Sequence, residues 1–350
     1  MSISIDDRKI GIGNPPYVIA ELSANHNGNL ENALSIIKIA KEAGANAVKI
    51  QTYRPDTITL KSDAPDFQIA DGPWEGRSLY DLYDWAHTPW EWHEKLFSYA
   101  KELGITLFSS PFDFSAVDLL EDLGSPAYKI ASFEAVDLPL IRYVASKGKP
   151  LIISTGMADL QEIEEAVAAA RKGGCEELAL LLCVSGYPAP PSDYNLVTIR
   201  DMISRFDVPI GLSDHTLDNT TAIASVAIGA SILEKHVTLD RAGGGPDDSF
   251  SLEPNELSAL CQDAKTAWTA LGEINYGRKS SESSNVKFRR SLYFVRSLDA
   301  GDVITEGDVR SVRPGYGAPP KFLDVIIGKK LRQAVDSNSP VLLENIIADD

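Results

Sequence analysis

One pattern repeats along most of the chain: a short apolar run rich in β-branched residues, a loop, and an amphipathic stretch with helical spacing. The first helical stretch, ENALSIIKIAKEAG, places its alanines and isoleucines on one face, and Gly44 supplies a stop signal. The alternation predicts parallel strands covered by helices. The eight apolar runs are YVIAE (17–21), NAVKIQT (46–52), ITLFSS (105–110), AYKIAS (127–132), PLIIST (150–155), LALLLC (178–183), VPIGLS (208–213) and SILEKH (231–236).

Eight strand-and-helix units over roughly 260 residues match the usual size of a (β/α)8 barrel, the TIM barrel. A doubly wound open sheet has the same alternation and is the competing interpretation. After the eighth unit the chain becomes polar and Ser-rich, and then consists of short apolar pieces separated by turn signals. We therefore predict a TIM-barrel catalytic domain over residues 1–275, a linker over 276–290 and a small β-rich domain over 291–350.

A long segment, residues 53–92, separates the second and third strands, where about two to six residues would be usual. An insertion after a barrel strand lies on the face where active sites form. Two interpretations stay open, a lid over a sugar and a satellite hydrophobic cluster. The segment contains the aromatic residues Trp74, Tyr80, Tyr83, Trp85, Trp90 and Trp92.

Composition excludes several classes of protein. The formal net charge of −17 argues against binding to nucleic acid or to an anionic membrane surface. The three cysteines are far apart without metal-ligand spacing, which indicates reduced thiols. The N-terminus lacks a basic end followed by an apolar run, and no segment has the length of a membrane span. We expect a cytoplasmic protein.

If the eight runs form a barrel, the polar residues that end them converge at its carboxyl-terminal mouth. His215 and His236 follow neighbouring strands, which lie roughly 4.8 Å apart, so their imidazoles can reach one shared ion. The alternative is a pair of core histidines bonded to carbonyl groups. The converging residues are Glu21, Lys49, Gln51, Ser109, Ser110, Lys129, Ser132, Glu134, Ser154, Ser185, Ser213, His215 and His236.

No cysteine or third histidine stands near the two histidines in the pattern, so water or substrate oxygens must complete the coordination. This donor set favours a divalent ion such as Mn²⁺ or Mg²⁺ over structural zinc. Lys49 and Lys129, with the nearby serines, form a predicted cradle for a phosphate and a carboxylate. The alternative for the lysines is solvation at the rim. Glu134 and Glu21 are candidate proton-transfer groups, or neutralise a lysine.

The motifs at these positions resemble those of the sialic acid synthase family, from Tyr17 to Ile347. Within the family, the AELSANHN opening, LYDLYDWAHTPWEWH (79–93) and SGYPAPP most resemble the members that make pseudaminic acid. The motifs are AELSANHNG (20–28), KIQTY (49–53), SSPFD (109–113), YKIASFE (128–134), STGM (154–157), GLSDHT (211–216), EKH (234–236), GGPDDSFSLEP (244–254), FRRSL (288–292) and RPGYG (313–317).

The resemblance implies a metal-dependent condensation of phosphoenolpyruvate with the open aldehyde form of an N-acetylated amino sugar, with phosphate lost by C–O cleavage. For the pseudaminic acid branch the sugar is 2,4-diacetamido-2,4,6-trideoxy-L-altrose. By analogy, Glu134 handles the proton of the attacking water, and His215 and His236 hold the metal. Phosphoenolpyruvate would be bound by Lys49, Ser110, Lys129, Ser132, Ser154, Ser185 and Ser213, while Glu21, Gln51, Tyr187 and Asp247 would face the sugar or order the site.

The tail resembles the antifreeze-like (SAF) domain of this family, which in relatives crosses a homodimer and caps the barrel of the partner. Arg313 would then reach the sugar of the other subunit, with Phe288 near the junction. The alternative is a tail packed on its own barrel. Sialic acid synthases carry Asn where Ser185 stands, a departure that favours a different sugar.

Three other functions remain open. Within the family, the chain could be an N-acetylneuraminate or legionaminate synthase that uses N-acetylmannosamine or a diacetamido sugar. A Schiff-base pyruvate lyase would use a barrel lysine such as Lys129. A non-catalytic sugar-binding or ice-binding protein is suggested by the tail alone, but leaves the paired histidines and lysines unexplained.

Overall fold

The computed structural model describes residues 2–72 and 74–347. The chain divides into two compact units, residues 1–272 and 273–350, and each is considered by itself. The division falls close to the predicted end of the barrel domain at residue 275. Residues 348–350 of the predicted tail domain lie outside the described residues.

The first unit begins with a hairpin of two short strands, β1 (Ser2–Ile5) and β2 (Arg8–Gly11). Its isoleucines Ile3, Ile5 and Ile10 are buried in one cluster with the apolar residues of the barrel interior. The hairpin therefore contributes to the core of the barrel. It was not predicted from the sequence.

Eight parallel strands follow and form a closed barrel, with the last strand paired back onto the first. All eight predicted runs are barrel strands, which confirms the (β/α)8 prediction and excludes the doubly wound sheet. The strands are β3 (Tyr17–Glu21), β4 (Ala47–Thr52), β5 (Thr106–Pro111), β6 (Tyr128–Ile130), β7 (Leu151–Ser154), β8 (Leu178–Cys183), β9 (Ile210–Ser213) and β10 (Ile232–His236).

Helices connect these strands and pack around the barrel. α1 (Leu30–Ala43) is typical: the side chain of Asn29 accepts a hydrogen bond from the Glu31 amide at its start, and Gly44 ends it at φ 92°, a left-handed conformation that favours glycine. The other helices of this unit are α2 (Pro55–Ile58), α3 (Leu79–Ala86), α4 (His93–Leu103), α5 (Phe114–Asp122), α6 (Leu138–Ala145), α7 (Leu160–Lys172), α8 (Thr198–Phe206), α9 (Thr220–Ile228) and α10 (Pro254–Leu271).

Side chains along each barrel strand alternate between the interior and the helical layer, with a period of two. On β10, Ile232 belongs to the apolar interior cluster, and Glu234 and His236 follow at the next interior positions. On β4, Ala47 is followed in the same way by Lys49. The interior is therefore apolar at the amino-terminal end of the strands and polar at the carboxyl-terminal end.

The second unit contains a two-stranded antiparallel sheet, β11 (Ser291–Phe294) with β12 (Val309–Val312), and a short helix, α11 (Leu323–Ile326). It has its own apolar core, to which Leu292 and Phe294 contribute. Before β11 the chain is largely exposed and contains a 3-10 helix, Ser280–Phe288. In the described parts of both units, no helix is long and apolar enough to cross a membrane.

Candidate active site

Two lysines and two glutamates form a buried charge network at the polar end of the barrel. Nζ of Lys49 lies 3.1 Å from Glu21 Oε2 and 3.6 Å from Glu234 Oε1. Burial alone would lower the pKa of Lys49, but the two carboxylates outweigh it and raise that pKa. Both lysines are buried, so the alternative of solvated rim lysines is wrong.

Lys129 occupies the other side of this network. Its Nζ donates to Ser154 Oγ at 2.6 Å and to the Ile130 carbonyl at 3.0 Å, and lies 4.0 Å from Glu234 Oε1. Burial lowers the pKa of Lys129 to about 8, while Glu234 acts in the opposite direction. The ammonium form of this lysine therefore depends on the neighbouring carboxylate.

Glu234 was missed by the sequence analysis, although it stands in the EKH motif. Its carboxylate is buried between the two lysines and accepts a hydrogen bond from Ser213 Oγ at 3.1 Å. Burial raises its pKa, but Lys129 and Lys49 outweigh burial, so the pKa of Glu234 is lowered. The period-two alternation of β10 places it at the same interior face as His236, and this signal could have found it.

The predicted serines lie around the lysines. Ser110 Oγ is 3.3 Å from Lys49 Nζ, and Ser132 Oγ accepts from the Gly156 amide at 3.2 Å. A Cβ at Gly156 would stand 2.3 Å from Ser185 Oγ and 2.7 Å from Ser132 Oγ, so both hydroxyls point to the small space beside this glycine. Ser185 Oγ is buried and has no hydrogen-bond partner in the described structure, as expected of a group that binds a ligand.

Ser109 departs from the prediction. It faces the helical layer, because it alternates with the interior residues Phe108 and Ser110. Its Oγ lies 2.6 Å from Thr52 Oγ1, which in turn lies 2.8 Å from His93 Nε2 on α4. Ser109 therefore helps to hold β4, β5 and α4 together and does not line the site.

His215 and His236 come together as predicted, with ring centroids 5.4 Å apart. His215 Nδ1 lies 2.7 Å from the Val184 carbonyl, and since a carbonyl only accepts, Nδ1 carries the hydrogen of this bond. Burial lowers the pKa of His215, but its hydrogen bonds with Cys183 and with the Val184 carbonyl outweigh burial and raise that pKa. His236 Nδ1 is buried without a hydrogen-bond partner and lies 3.7 Å from Asp247 Oδ2. Burial lowers the pKa of His236 far below its usual range, so this ring is neutral and able to bind a cation.

The donor set at the histidines suits a divalent cation with open coordination positions. Within residues 2–72 and 74–347, no group of three or more His, Cys, Asp and Glu side chains is placed to hold a metal. The sequence pattern placed no cysteine near the histidines, but Cys183 hydrogen-bonds the His215 ring. A coordination sphere of two imidazoles with substrate or water oxygens stays a prediction. The unpartnered nitrogen of His236 is the structural observation that fits this role.

A cavity of about 280 Å³ opens beside His236. Its polar lining residues are Gln51, Glu134, Asp247, His236 and Ser23. Its other walls are largely apolar and aromatic, and include Tyr53, Ile58, Trp74, Leu82, Tyr83, Ala86, Phe112, Phe133 and Tyr187.

The aromatic insertion supplies part of these walls, which favours its interpretation as a cover of the site. Trp74 Nε1 donates to the Pro246 carbonyl at 3.0 Å, and its ring centroid lies 5.8 Å from that of Tyr187. Tyr187 in turn lies 4.4 Å from the His215 ring. From the sequence, Trp74 and Tyr83 fit either a lid over a sugar or a satellite cluster, because their place in the cavity depends on tertiary packing.

Glu134 has the electrostatics of a proton-transfer group. It lines the cavity, and burial raises its pKa to about 7. Its Oε2 is buried without a hydrogen-bond partner. Glu21 differs, because Gln51 Nε2 donates to its Oε1 at 2.9 Å and Lys49 approaches its Oε2, so it is tied into the charge network.

Asp247 is held at the cavity by Ser23, whose Oγ donates to Oδ2 at 2.5 Å. Gln51 also donates to Ser23 Oγ, at 3.0 Å, so these predicted residues are connected. Phe288 and Arg313 belong to the second unit, where both are exposed. Their roles at a partner's site stay predictions.

Comparisons with known proteins agree with this arrangement. The NeuB family model matches residues 36–276, and the SAF domain model matches residues 289–347. The pseudaminic acid synthase of Campylobacter jejuni is 42% identical over 91% of this chain and 93% of its own length. That of Helicobacter pylori is 40% identical over 95% of this chain and 98% of its own. The crystal structure of the N-acetylneuraminic acid synthetase of Leptospira borgpetersenii superposes with a TM-score of 0.72 at 33% identity, covering 82% of this chain and 95% of that one.

Proposed function

The chain belongs to the NeuB family, and from this premise we propose that it is a transferase that condenses phosphoenolpyruvate with an N-acetylated amino sugar to form a nonulosonic acid and phosphate. The proposed sugar is 2,4-diacetamido-2,4,6-trideoxy-L-altrose and the product pseudaminic acid. The observation that carries the proposal is the buried pair Lys49 and Lys129 beside two histidines, in a pocket next to a sugar-sized cavity.

The charges of the pocket support the participation of a cation. The Glu234 carboxylate lies within 4.0 Å of both lysines and offsets part of their positive charge, while burial raises the pKa of Glu21 despite its contact with Lys49. Phosphoenolpyruvate carries a carboxylate and a phosphate of roughly −1.5 to −2 charge. A divalent cation, Mn²⁺ or Mg²⁺, held by His215 and His236 would supply the missing charge and polarise the aldehyde of the sugar as a Lewis acid.

The residues of the chain then have distinct tasks. Lys129 and Lys49, with the hydroxyls near Gly156, would hold the phosphate and carboxylate. The C3 carbon of phosphoenolpyruvate would form a bond to the aldehyde carbon as the carbonyl π bond opens, and the aldehyde oxygen would take up a proton from solvent. Water would then add at C2 of the resulting cation. Glu134, with a pKa near 7, would accept the proton of that water. The tetrahedral intermediate then expels phosphate by breaking the bond between C2 and the bridging oxygen.

The cavity wall supports a deoxygenated sugar. Trp74, Tyr83 and Leu82 line the same cavity as His236. These side chains would offer apolar surface to the methyl groups of a 6-deoxy, twice N-acetylated chain whose aldehyde lies near His236. Asp247 and Gln51 would be available for hydroxyl and amide groups. The competing sugars are N-acetylmannosamine and the diacetamido sugar of legionaminate synthesis.

A Schiff-base lyase is the second candidate, since the lowered pKa of Lys129 resembles that of imine-forming lysines. The hydrogen bond of Lys129 to Ser154 and its contact with Glu234 instead support its role as a phosphate-binding ammonium. Borohydride treatment with pyruvate separates the two. Covalent trapping at Lys129, with activity that ignores chelators, would favour the lyase.

The direct experiment incubates the protein with phosphoenolpyruvate, Mn²⁺ and each of the three sugars, and follows phosphate release. We expect the 6-deoxy altrose derivative to give the highest kcat/KM. A higher value for N-acetylmannosamine would reassign the sugar, and no phosphate with any acetamido sugar would refute the condensation.

We also propose a cytoplasmic homodimer in which the tail of one chain caps the barrel of the other. This proposal is supported by the resemblance of the tail to the SAF domain and by the exposure of Arg313 in a unit that has its own apolar core. Mixing Arg313→Ala with Lys129→Ala chains should partly recover activity, because one site of the heterodimer would then be intact. No recovery after demonstrated subunit exchange would contradict the swapped arrangement.

A further inference from the structure

Lys235 is a buried lysine that the proposed chemistry does not use. Its side chain is 2% exposed, and its Nζ donates to Asp214 Oδ2 at 2.9 Å and to the carbonyls of Thr216 and Asp218, each at 2.7 Å. Three oxygen acceptors at these distances satisfy the three hydrogens of an ammonium.

Lys235 does not belong to the anion pocket. It stands between Glu234 and His236 on β10, and both of these face the barrel interior. The alternation along a strand turns Lys235 to the opposite side, toward the loop that follows β9. Its contacts, all with that loop, agree with this direction.

That loop carries His215. Asp214 and Thr216 are the residues on either side of the histidine, and Asp214 Oδ1 also accepts from the Thr216 amide at 2.9 Å. The Asp214 amide donates to the Glu234 carbonyl at 2.9 Å and continues the pairing of β9 with β10. One lysine side chain therefore connects the backbone next to His236 with both neighbours of His215.

Other contacts hold His215 from the side of β8. Its amide donates to Tyr194 Oη at 2.7 Å and its ring to the Val184 carbonyl. These hold the ring from the side of β8, while the backbone hydrogen bond from Asp214 to the Glu234 carbonyl joins the start of the loop to β10. The separation of the two imidazoles depends on the contacts that join β10 to the loop.

We propose that Lys235 is a positioning residue that sets the spacing of His215 and His236, and through it the affinity of the site for a divalent cation. The inference rests on the proposed function, since it requires that the two histidines share an ion. Residues that orient metal ligands typically change metal affinity by about 10- to 100-fold when they are replaced.

One double variant distinguishes the positioning role of Lys235 from a role in stability alone. Lys235→Met leaves the Asp214 carboxylate buried without its partner, and this variant is expected to be less stable. Asp214→Asn with Lys235→Met removes both charges and keeps apolar volume, so it recovers part of the thermal stability. The carbonyls of Thr216 and Asp218 still lack their donor, and the loop keeps its backbone bond to β10 but has lost its contacts with the lysine side chain.

The test measures binding of Mn²⁺ alone to the full chain, by the electron paramagnetic resonance signal of free Mn²⁺, beside the melting temperature. We expect the folded double variant to bind Mn²⁺ at least about tenfold more weakly than the wild type. The Mn²⁺ concentration needed for half-maximal phosphate release should rise in parallel, while the KM for phosphoenolpyruvate at saturating Mn²⁺ stays unchanged. Lys147→Met is the control for loss of a lysine, because it removes a lysine–aspartate pair of similar length, 3.0 Å, between Lys147 after α6 and Asp118 on α5, at a more exposed position.

Two outcomes would overturn the inference and differ in what else they affect. If the double variant binds Mn²⁺ as tightly as the wild type, Lys235 forms only a structural ion pair, and the proposed function is unaffected. Failure of the wild type itself to bind Mn²⁺ would remove the shared ion, and with it the metal role of the histidines in the proposed function.

Discussion

The effect of Glu234→Gln on the binding of phosphoenolpyruvate is expected to be opposite to the effect that the change in charge alone would have. Glu234 is a carboxylate inside a predicted anion pocket, so its removal should by charge alone strengthen the binding of phosphoenolpyruvate. The structure predicts weaker binding, because Glu234 lies 4.0 Å from Lys129 Nζ and supports its ammonium form.

The magnitude follows from that distance. Two unit charges about 4 Å apart interact by about 4 kcal/mol at an effective dielectric constant of about 20. The pKa of Lys129 is already lowered to about 8. Half of the interaction energy, about 2 kcal/mol, is enough to convert most of the Lys129 population to the neutral amine at pH 7.5. Affinity for a phosphate group then falls by about tenfold, because the ammonium form binds it.

The assay measures the KM for phosphoenolpyruvate at saturating sugar and Mn²⁺ between pH 6 and 8. We expect a KM about tenfold above that of the wild type at pH 7.5, with the difference shrinking toward pH 6 as Lys129 regains its proton. Asp247→Asn is the control, since it removes a different buried carboxylate, which accepts a hydrogen bond from Ser23 and lies 3.7 Å from His236 Nδ1. An unchanged or lower KM in Glu234→Gln at pH 7.5 would refute the reasoning.

Three further predictions concern the cavity. Burial raises the pKa of Glu134 to about 7, so its base form appears as the pH rises through 7. In a pH-rate profile, wild-type kcat/KM should therefore rise through pH 7 to a plateau. Glu134→Gln should be about 10²- to 10⁴-fold slower and should not show this rise. His236→Ala should abolish Mn²⁺-dependent turnover with an unchanged circular dichroism spectrum, and near-normal rates in excess chelator would contradict it. Trp74→Ala should lower kcat/KM for the sugar by about 10- to 200-fold with little effect on the KM for phosphoenolpyruvate, and equal effects on both would place Trp74 outside the sugar site.

The barrel was predictable because its signal is local. Each strand is a short apolar run, and helices such as α1 have both a cap residue, Asn29, and a stop glycine, Gly44. The N-terminal hairpin was not predictable in this way. Its strands are four residues each, and Ile3, Ile5 and Ile10 have a partner only once the barrel interior exists.

The candidate site was predictable in its residue types and less so in its pairings. The ends of the strands supplied Lys49, Lys129, His215 and His236, because a closed parallel barrel brings strand ends together. Glu234, two positions before the end of β10, was missed, although Lys49, three positions before the end of β4, was predicted. The cavity walls were missed because the insertion reaches the site through tertiary contacts such as that of Trp74 with Pro246.

The most direct test of the central claim is anomalous X-ray scattering at the manganese absorption edge, from crystals grown with Mn²⁺ and phosphoenolpyruvate. We predict one strong peak within bonding distance of a ring nitrogen of His215 and of His236, next to the phosphoenolpyruvate held by Lys49 and Lys129. A peak elsewhere, or none at full ligand occupancy, would contradict the account.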